Sequence, residues 1–261
     1  MIEWNVNPEI FSIGPLSIRW YGLLFASSFI IGYIIIADMF KKEGRPENDL
    51  NDLLWYMILG TVLGARLGHC LFYNPEYYLS NPLEILKVYK GGLASHGAAI
   101  GILLSLALFV RKKSGYSYLW LLDRIVIVVA LGGAFIRIGN LFNSEIVGVK
   151  TSLPWGFVFE RIDNVPRHPT QLYEAIAYFI TFGILYSLYR KKRKELENGF
   201  IFGLFLIMVF GARFLIEFVK RDQVPFEASL PINMGQILSI PLVIAGVYLV
   251  AVHSRKKKSP A

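Results

Sequence analysis

The sequence predicts an all-α integral membrane protein: seven transmembrane helices, a small extracytoplasmic loop or head segment, and an interfacial arm. Three observations carry that prediction. Hydrophobic residues make up 54% of the 261-residue chain and charged residues only 18%, and the mean hydropathy is +0.48, too apolar for an ordinary soluble domain. Seven apolar stretches recur, each close to the roughly 20 residues that cross a bilayer core about 30 Å thick. Lysine and arginine gather in the separators, unequally on alternate sides.

Taken in order, the stretches are 17–39, 52–73, 91–110, 119–138, 172–190, 199–219 and 233–252. In hydrocarbon every backbone group must be bonded internally, so each is expected to be a helix. The N-terminal "MIEWNVNPEIFSIGP" has neither the basic n-region nor the early apolar core of a cleaved signal peptide, so the first span is expected to do the targeting itself. Separators such as "KKEGRPEND", "RKKSGYS", "RKKRKELENG" and "RDQVPFEASLP" carry turn and breaker residues. Two connections exceed a turn. "NPEYYLSNPLEILKVYK" is aromatic and partly amphipathic and is expected to lie along the interface. Residues 144–171, with "LPWGFVFERIDNVPRHPT", read as an extramembrane hairpin or loop. With no long repeat and no low-complexity segment, residues 1–261 read as a single polytopic membrane domain.

Segments 40–51, 111–118, 190–198 and 253–261 hold 15 basic residues, and the alternate set, 1–19, 74–90, 139–171 and 220–232, holds 8. The richer set is expected to be cytoplasmic, which puts the N-terminus outside and the C-terminus inside. The tail "HSRKKKSPA" fits contact with anionic lipid. The net charge of +8 is spread over short clusters, not one basic face with stacking aromatics, so nucleic acid is not an expected partner. A single cysteine, Cys70, excludes an internal disulfide and a cysteine-rich metal site.

The remaining four basic residues, Arg66, Arg124, Arg137 and Arg213, lie within or at the ends of spans. Guanidinium keeps its charge and forks onto carboxylate or phosphate, whereas a buried lysine can lose its proton. Each arginine could pair with a carboxylate or snorkel to a head group, and Arg124 follows Asp123 directly. Arg137 and Arg213 invite a functional reading, because polar residues gather round them. "GARFLIEF" places Glu217 four residues after Arg213, on one helix face, where it would orient the guanidinium. Both arginines fall at the outer ends of outward-running spans and make a plausible phosphate clamp.

"GGLASHGAAIG" brings His96 into the outer half of the membrane, as a packing histidine or a proton acceptor. His69, three residues after Arg66, is the competing histidine. In "IRWYGL", Trp20 and Tyr21 could be interfacial belt residues. "RHPTQLYEA" re-enters the membrane with Gln171 and Glu174 in the first turn of a capped helix. HExxH, GxSxG, P-loop and paired-cysteine motifs are all missing, so no metal and no cofactor are expected.

"GGLASHGAAIG", "RIGNLFNSEIVG", "RHPTQLYEA", "GARFLIEFVKRD" and "INMGQILSIPLVIAG", in this order with "IRWYGL" in front, closely resemble the bacterial prolipoprotein diacylglyceryl transferase family, over about residues 8 to 250. The resemblance implies a multi-pass plasma (inner) membrane enzyme of lipoprotein biosynthesis, with seven helices and the N-terminus outside. It implies transfer of the diacylglyceryl group of phosphatidylglycerol to the lipobox cysteine of a prolipoprotein signal peptide, leaving a thioether and glycerol 1-phosphate. The family signature maps to Arg137, Asn140, Glu145 and Gly148, its outer-face histidine to His96, its first-span tyrosine to Tyr21, and its late pair to Arg213 and Glu217. His96, Arg137, Arg213 and Glu217 are therefore the expected catalytic set, and Tyr21, Asn140, Glu145 and Gly148, joined by the span arginine Arg66 from outside that mapping, the expected substrate-binding set. Some relatives carry a tyrosine four residues before the late arginine, where this chain has Val209.

Two rivals remain from sequence alone. An anion or lipid transporter could line its path with the same arginines, but it would tend to show paired repeats and discontinuous mid-membrane helices, and neither is clear here. Another phosphatidylglycerol-using transferase with a different acceptor is set aside only by the motif match.

Overall fold

The computed structural model describes residues 1–14, 16–88, 91–221 and 232–256. Most of the "RDQVPFEASLP" separator, the end of the "NPEYYLSNPLEILKVYK" arm and the last five residues of the basic tail lie outside the described residues. In chain order the elements are β1 (Ile2–Trp4), β2 (Glu9–Ile13), β3 (Leu16–Arg19), α1 (Trp20–Lys42), α2 (Glu47–Phe72), α3 (Pro75–Ser80), α4 (Pro82–Ile85) and α5 (Ser95–Lys112). They continue with α6 (Tyr118–Asn143), β4 (Phe157–Phe159), β5 (Pro166–Arg167), α7 (Thr170–Lys192), α8 (Phe200–Ile216), a 3₁₀ turn (Glu217–Val219) and α9 (Met234–Lys256).

Seven helices among the described residues are long and apolar enough to cross a membrane: α1, α2, α5, α6, α7, α8 with its 3₁₀ extension, and α9. Ile30, Ile34, Leu63, Leu104, Ile180 and Ile244 are all exposed along them, a pattern that a soluble fold would bury. The chain is an all-α integral membrane protein carrying a few short strands.

Residues 1–35 and 123–261 form one compact unit. Within it α1 runs antiparallel to α6: Tyr21 touches Gly139, Ser28 touches Gly132 and Gly32 touches Val128. α7 runs antiparallel to α6 as well, with Arg137 on Glu174 at one end and Arg124 over the Tyr189 ring at the other. α8 therefore runs in the same direction as α6, and α9 descends along it, Gln236 beside Phe214 and Gly246 against Gly203.

α6 continues through Asn143, past the expected end of its span at 138. The reason is apolar packing: Leu141 is buried with Val147, Phe157 and Phe159, and Trp4 and Leu172 close over them. The same cluster captures the N-terminus, for which the sequence predicts no element. β1 pairs parallel with β4, which pairs antiparallel with β5, and Trp4 Nε1 donates to the Leu141 carbonyl at 2.9 Å. A three-residue strand has too little alternation to be read from sequence. The β2–β3 hairpin feeds directly into α1, so that helix starts at Trp20, not at 17.

Residues 36–122 form a second compact unit. α2 and α5 cross antiparallel along Gly60, Gly64 and Gly68 on one helix and Gly97 and Gly101 on the other, so close that a Cβ at Gly64 or Gly97 would land on the opposite backbone. At one end Lys113 Nζ binds Asp49 and Asp52 at 2.7 and 2.6 Å, and its hydrogen bond to Asp49 holds its ammonium above the usual lysine range. The Arg45 guanidinium lies over the adjoining rings of Tyr116 and Trp120, 4.6 Å from each centroid.

Candidate active site

The last turns of α6 present Arg137, Asn140 and Asn143 at three-residue spacing, along one helix face. Arg137 Nη1 donates to Asn140 Oδ1 at 3.1 Å. Asn140 Nδ2 then donates to Glu145 Oε2 at 2.9 Å, and Asn143 Nδ2 donates to Glu145 Oε1 at 3.2 Å. Glu145 reaches back to them because the chain turns sharply, with φ of 56° at Ser144 and 57° at Ile146. A positive φ is costly for a β-branched residue, on the order of 1–3 kcal/mol. The first turn of α7 holds the turn in place: Thr170 Oγ1 donates to the Ile146 carbonyl at 2.7 Å and Gln171 Nε2 to the Glu145 carbonyl at 2.5 Å, both side chains fully buried.

One turn further along α7, Glu174 is completely buried. Its Oε2 is 2.5 Å from Arg137 Nε, an ion pair whose N–H is not aligned as a hydrogen bond. Its Oε1 accepts from Lys220 Nζ at 3.1 Å. Lys220 donates also to Glu217 Oε1 at 2.8 Å, and Arg213 Nε approaches that same oxygen at 3.4 Å. Asn233 Nδ2 takes the other Glu217 oxygen at 3.1 Å. Tyr178, buried against Gly133, lies within electrostatic range of both Arg137 and Arg213. Tyr21 packs on Gly139 within electrostatic range of Arg137 and Glu145.

The result is a continuous network in which three cations, Arg137, Arg213 and Lys220, share two buried carboxylates, Glu174 and Glu217. Glu145 is exposed and is held by amides. Lys220 occupies the carboxylate oxygen nearest Arg213, whose side chain keeps 31% exposure. Such a cluster favours an added anion and holds its donors in place before that anion arrives. Around it, Asn143 Oδ1, Ser144 Oγ and Gln171 Oε1 are buried without a hydrogen-bond partner among the described residues.

Gly148 has a packing reason to be glycine. It lies where the strand after the turn bridges Lys220 and donates its N–H to the His168 carbonyl at 2.9 Å. A Cβ there would fall 2.5 Å from His168 Cβ and 2.6 Å from the Val219 carbonyl oxygen. Arg167 binds the Gly148 carbonyl and is itself gripped by Asp163.

Tyr21, Arg137, Asn140, Glu145, Gly148, Arg213 and Glu217 thus belong to the first compact unit, and Arg66 and His96 to the second. Arg66 is buried and its donors go to carbonyls, Nε to Ile85 at 2.8 Å, Nη1 to Gly91 at 2.6 Å and Gly92 at 3.3 Å, and Nη2 to Glu84 at 2.5 Å. It clamps the arm after α2. His96 packs edge-on to Phe72, centroids 5.2 Å apart, and tilted to Tyr73 at 5.8 Å. His69 stacks on Tyr73.

A family model described as prolipoprotein diacylglyceryl transferase matches residues 8–252. The chain belongs to this family. Similar proteins include the phosphatidylglycerol--prolipoprotein diacylglyceryl transferase of Tolumonas auensis, 50% identical over 257 residues that cover 98% of this chain and 99% of that one. The protein of that name from Chloroherpeton thalassium is 51% identical over 249 residues, 95% of this chain and 93% of its own. The one from Bacteroides fragilis is 45% identical over 268 residues, 98% and 96%.

For this member of the prolipoprotein diacylglyceryl transferase family, reading the sequence alone missed two members of the network. In the sequence Glu174 is only an early residue of an expected helix, and Lys220 only one of the outer-loop charges. A signal for Lys220 was available: Arg213, Glu217 and Lys220 stand at i, i+4 and i+7, a charged stripe along one face of an apolar segment. Glu174 offered no comparable signal, because its partners come from α6 and the end of α8.

Proposed function

We propose that this chain, acting as a single polytopic membrane domain, moves the diacylglyceryl group of phosphatidylglycerol onto the lipobox cysteine of a prolipoprotein. The sulfur–carbon bond forms as the glyceryl carbon–oxygen bond breaks, and glycerol 1-phosphate leaves with the bonding pair. The observation that carries this reading is the excess of cations over buried carboxylates around Arg137 and Arg213. Those arginines would take the phosphate and stabilise the charge that grows on it, an effect worth roughly 3–4 kcal/mol per donor in favourable cases. Asn140 and Tyr21 would orient the head group, Glu145 and Gly148 would hold the loop, and Glu217 would set Arg213. The unpartnered oxygens of Asn143, Ser144 and Gln171 suit glycerol hydroxyls.

The protein needs no nucleophile of its own, since the substrate supplies a thiol. A free thiol of pKa about 8.5 is only a few per cent ionised at neutral pH, so a proton acceptor helps. His96 is the candidate base: no hydrogen bond ties up its ring among the described residues. Arg66 would act on substrate through the arm that it clamps. The charge count supports an extracytoplasmic N-terminus, a cytoplasmic C-terminus and a site at the outer leaflet of the plasma membrane. The comparisons support the transferase reading over the transporter.

The test is mass-tagged transfer in vesicles of phosphatidylglycerol with a lipobox peptide. The peptide is expected to gain one diacylglyceryl unit while glycerol phosphate is released, and Arg137→Ala is expected to abolish both. Full transfer by Arg137→Ala removes that arginine from the reaction, and no transfer by folded wild-type protein defeats the reading. Because Val209 is buried in α8, wild-type activity would also show that a tyrosine hydroxyl at that position is dispensable.

A further inference from the structure

α8 starts at an unusual cap. Its N-cap residue is Gly199, at φ 99°, which has no side chain to bond the first free N–H groups. The acceptor comes from another helix. Asp123, buried in α6, accepts from Gly199 N through Oδ2 at 2.7 Å and from Phe202 N through Oδ1 at 2.8 Å. These are the N-cap and N3 donors that a capping box satisfies from within its own helix. Here one carboxylate does both, and in doing so joins α6 to α8.

We propose that Asp123 is a positioning residue that sets the axial register of α6 against α8. The two helices run in the same direction. Arg137 is fourteen residues beyond Asp123 on α6, and Arg213 is fourteen beyond Gly199 on α8. At about 1.5 Å of rise per residue, both arginines stand about 21 Å from the pin, at one height. Ridge-and-groove packing repeats along apolar helix faces and so fits neighbouring registers alike; a directional contact helps to choose among them, and Asp123 supplies one at the end remote from the arginines. The use of that register, levelling Arg137 with Arg213, rests on the proposed function.

The experiment reads register through α1, which packs residue by residue on α6 at Ser28–Gly132 and Gly32–Val128. Spin labels at Ile34 on α1 and Leu215 on α8, both exposed and at opposite ends of the helix pair, are placed in a Cys70→Ser background, and their separation is read by pulsed dipolar spectroscopy in nanodiscs. A second pair, Ile34 with Ile176 on α7, is the control. Asp123→Ala is expected to shift or broaden the Ile34–Leu215 distribution by up to about one helical turn, 5.4 Å, with the control pair unchanged. Asp123→Asn keeps an acceptor for one of the two N–H groups and is expected to fall between wild type and alanine. If the alanine variant does not accumulate, Asp123→Asn alone decides, by broadening or by none. A distribution that overlays on wild type in folded variant protein overturns the proposal. In the transfer assay Asp123→Ala should be slowed at least tenfold, with partial recovery in Asp123→Asn. A shifted register with undiminished transfer would leave the pin standing and remove arginine alignment from the reaction.

Discussion

Arg137 Nε and Glu174 Oε2 meet at 2.5 Å in the interior of the first compact unit, the arginine on α6 and a fully buried carboxylate on α7. Neither charge could stay there alone. Removing one partner of a buried pair typically costs about 3–5 kcal/mol, because the other is left uncompensated.

Glu174→Gln is therefore expected to lower stability by about 3 kcal/mol and to slow transfer about a hundredfold, as Arg137 turns to other acceptors. Thermal unfolding in detergent and initial rates in vesicles check the two effects separately. Wild-type values for both would show that Arg137 is held by Asn140 instead.

Lys220 competes with Arg213 for one oxygen of Glu217. Replacing it with methionine should let Arg213 close onto Glu217 and so weaken the phosphate contact proposed for it. The expected outcome is a KM for phosphatidylglycerol raised about tenfold, partly restored in Lys220→Arg. A change in kcat with KM untouched would assign Lys220 to another role.

Gly148→Ala is expected to stop transfer, since the new methyl meets the backbone of two other segments, while the protein still inserts in the membrane. Gly183→Ala serves as its contrast, because nothing stands within 4 Å of that position. There the substitution should leave transfer unchanged and add about 0.5–1 kcal/mol of helix stability. Equal behaviour of the two variants would show that space at Gly148 is unimportant.

Asp163 grips Arg167, which holds the Gly148 carbonyl. The hydrogen bond from Arg167 keeps the Asp163 carboxyl below the usual aspartate range. Its contribution is therefore full above the unfolded value of about 3.9 and fades as pH falls through the lowered folded value. Hydrogen exchange at Val149 and Thr151 should be flat from neutral pH down to about 4, after correction for intrinsic rates, and rise below it. Asp163→Asn should give the faster exchange at every pH. Loosening that sets in near pH 6 in the wild type would place the responsible group elsewhere.

Sequence alone determined the membrane class, the number of long apolar helices and the cationic residues Arg137 and Arg213. Each depends on local composition or short spacing, which the bilayer reads one segment at a time. It also contained Glu217, because i, i+4 spacing on a helix is itself a contact. The tertiary structure decided the rest. Only packing brings Glu174 to Arg137, draws Lys220 from a nominal loop into the interior, and ties β1 to β4 across more than half of the chain. Only packing bends Ser144 and Ile146 into the positive-φ turn that aims Glu145, with Thr170 and Gln171 holding it from another helix. The physical reason is the same each time: a buried charge or a strained turn persists only where a partner distant in sequence offsets its cost, and no local pattern names that partner.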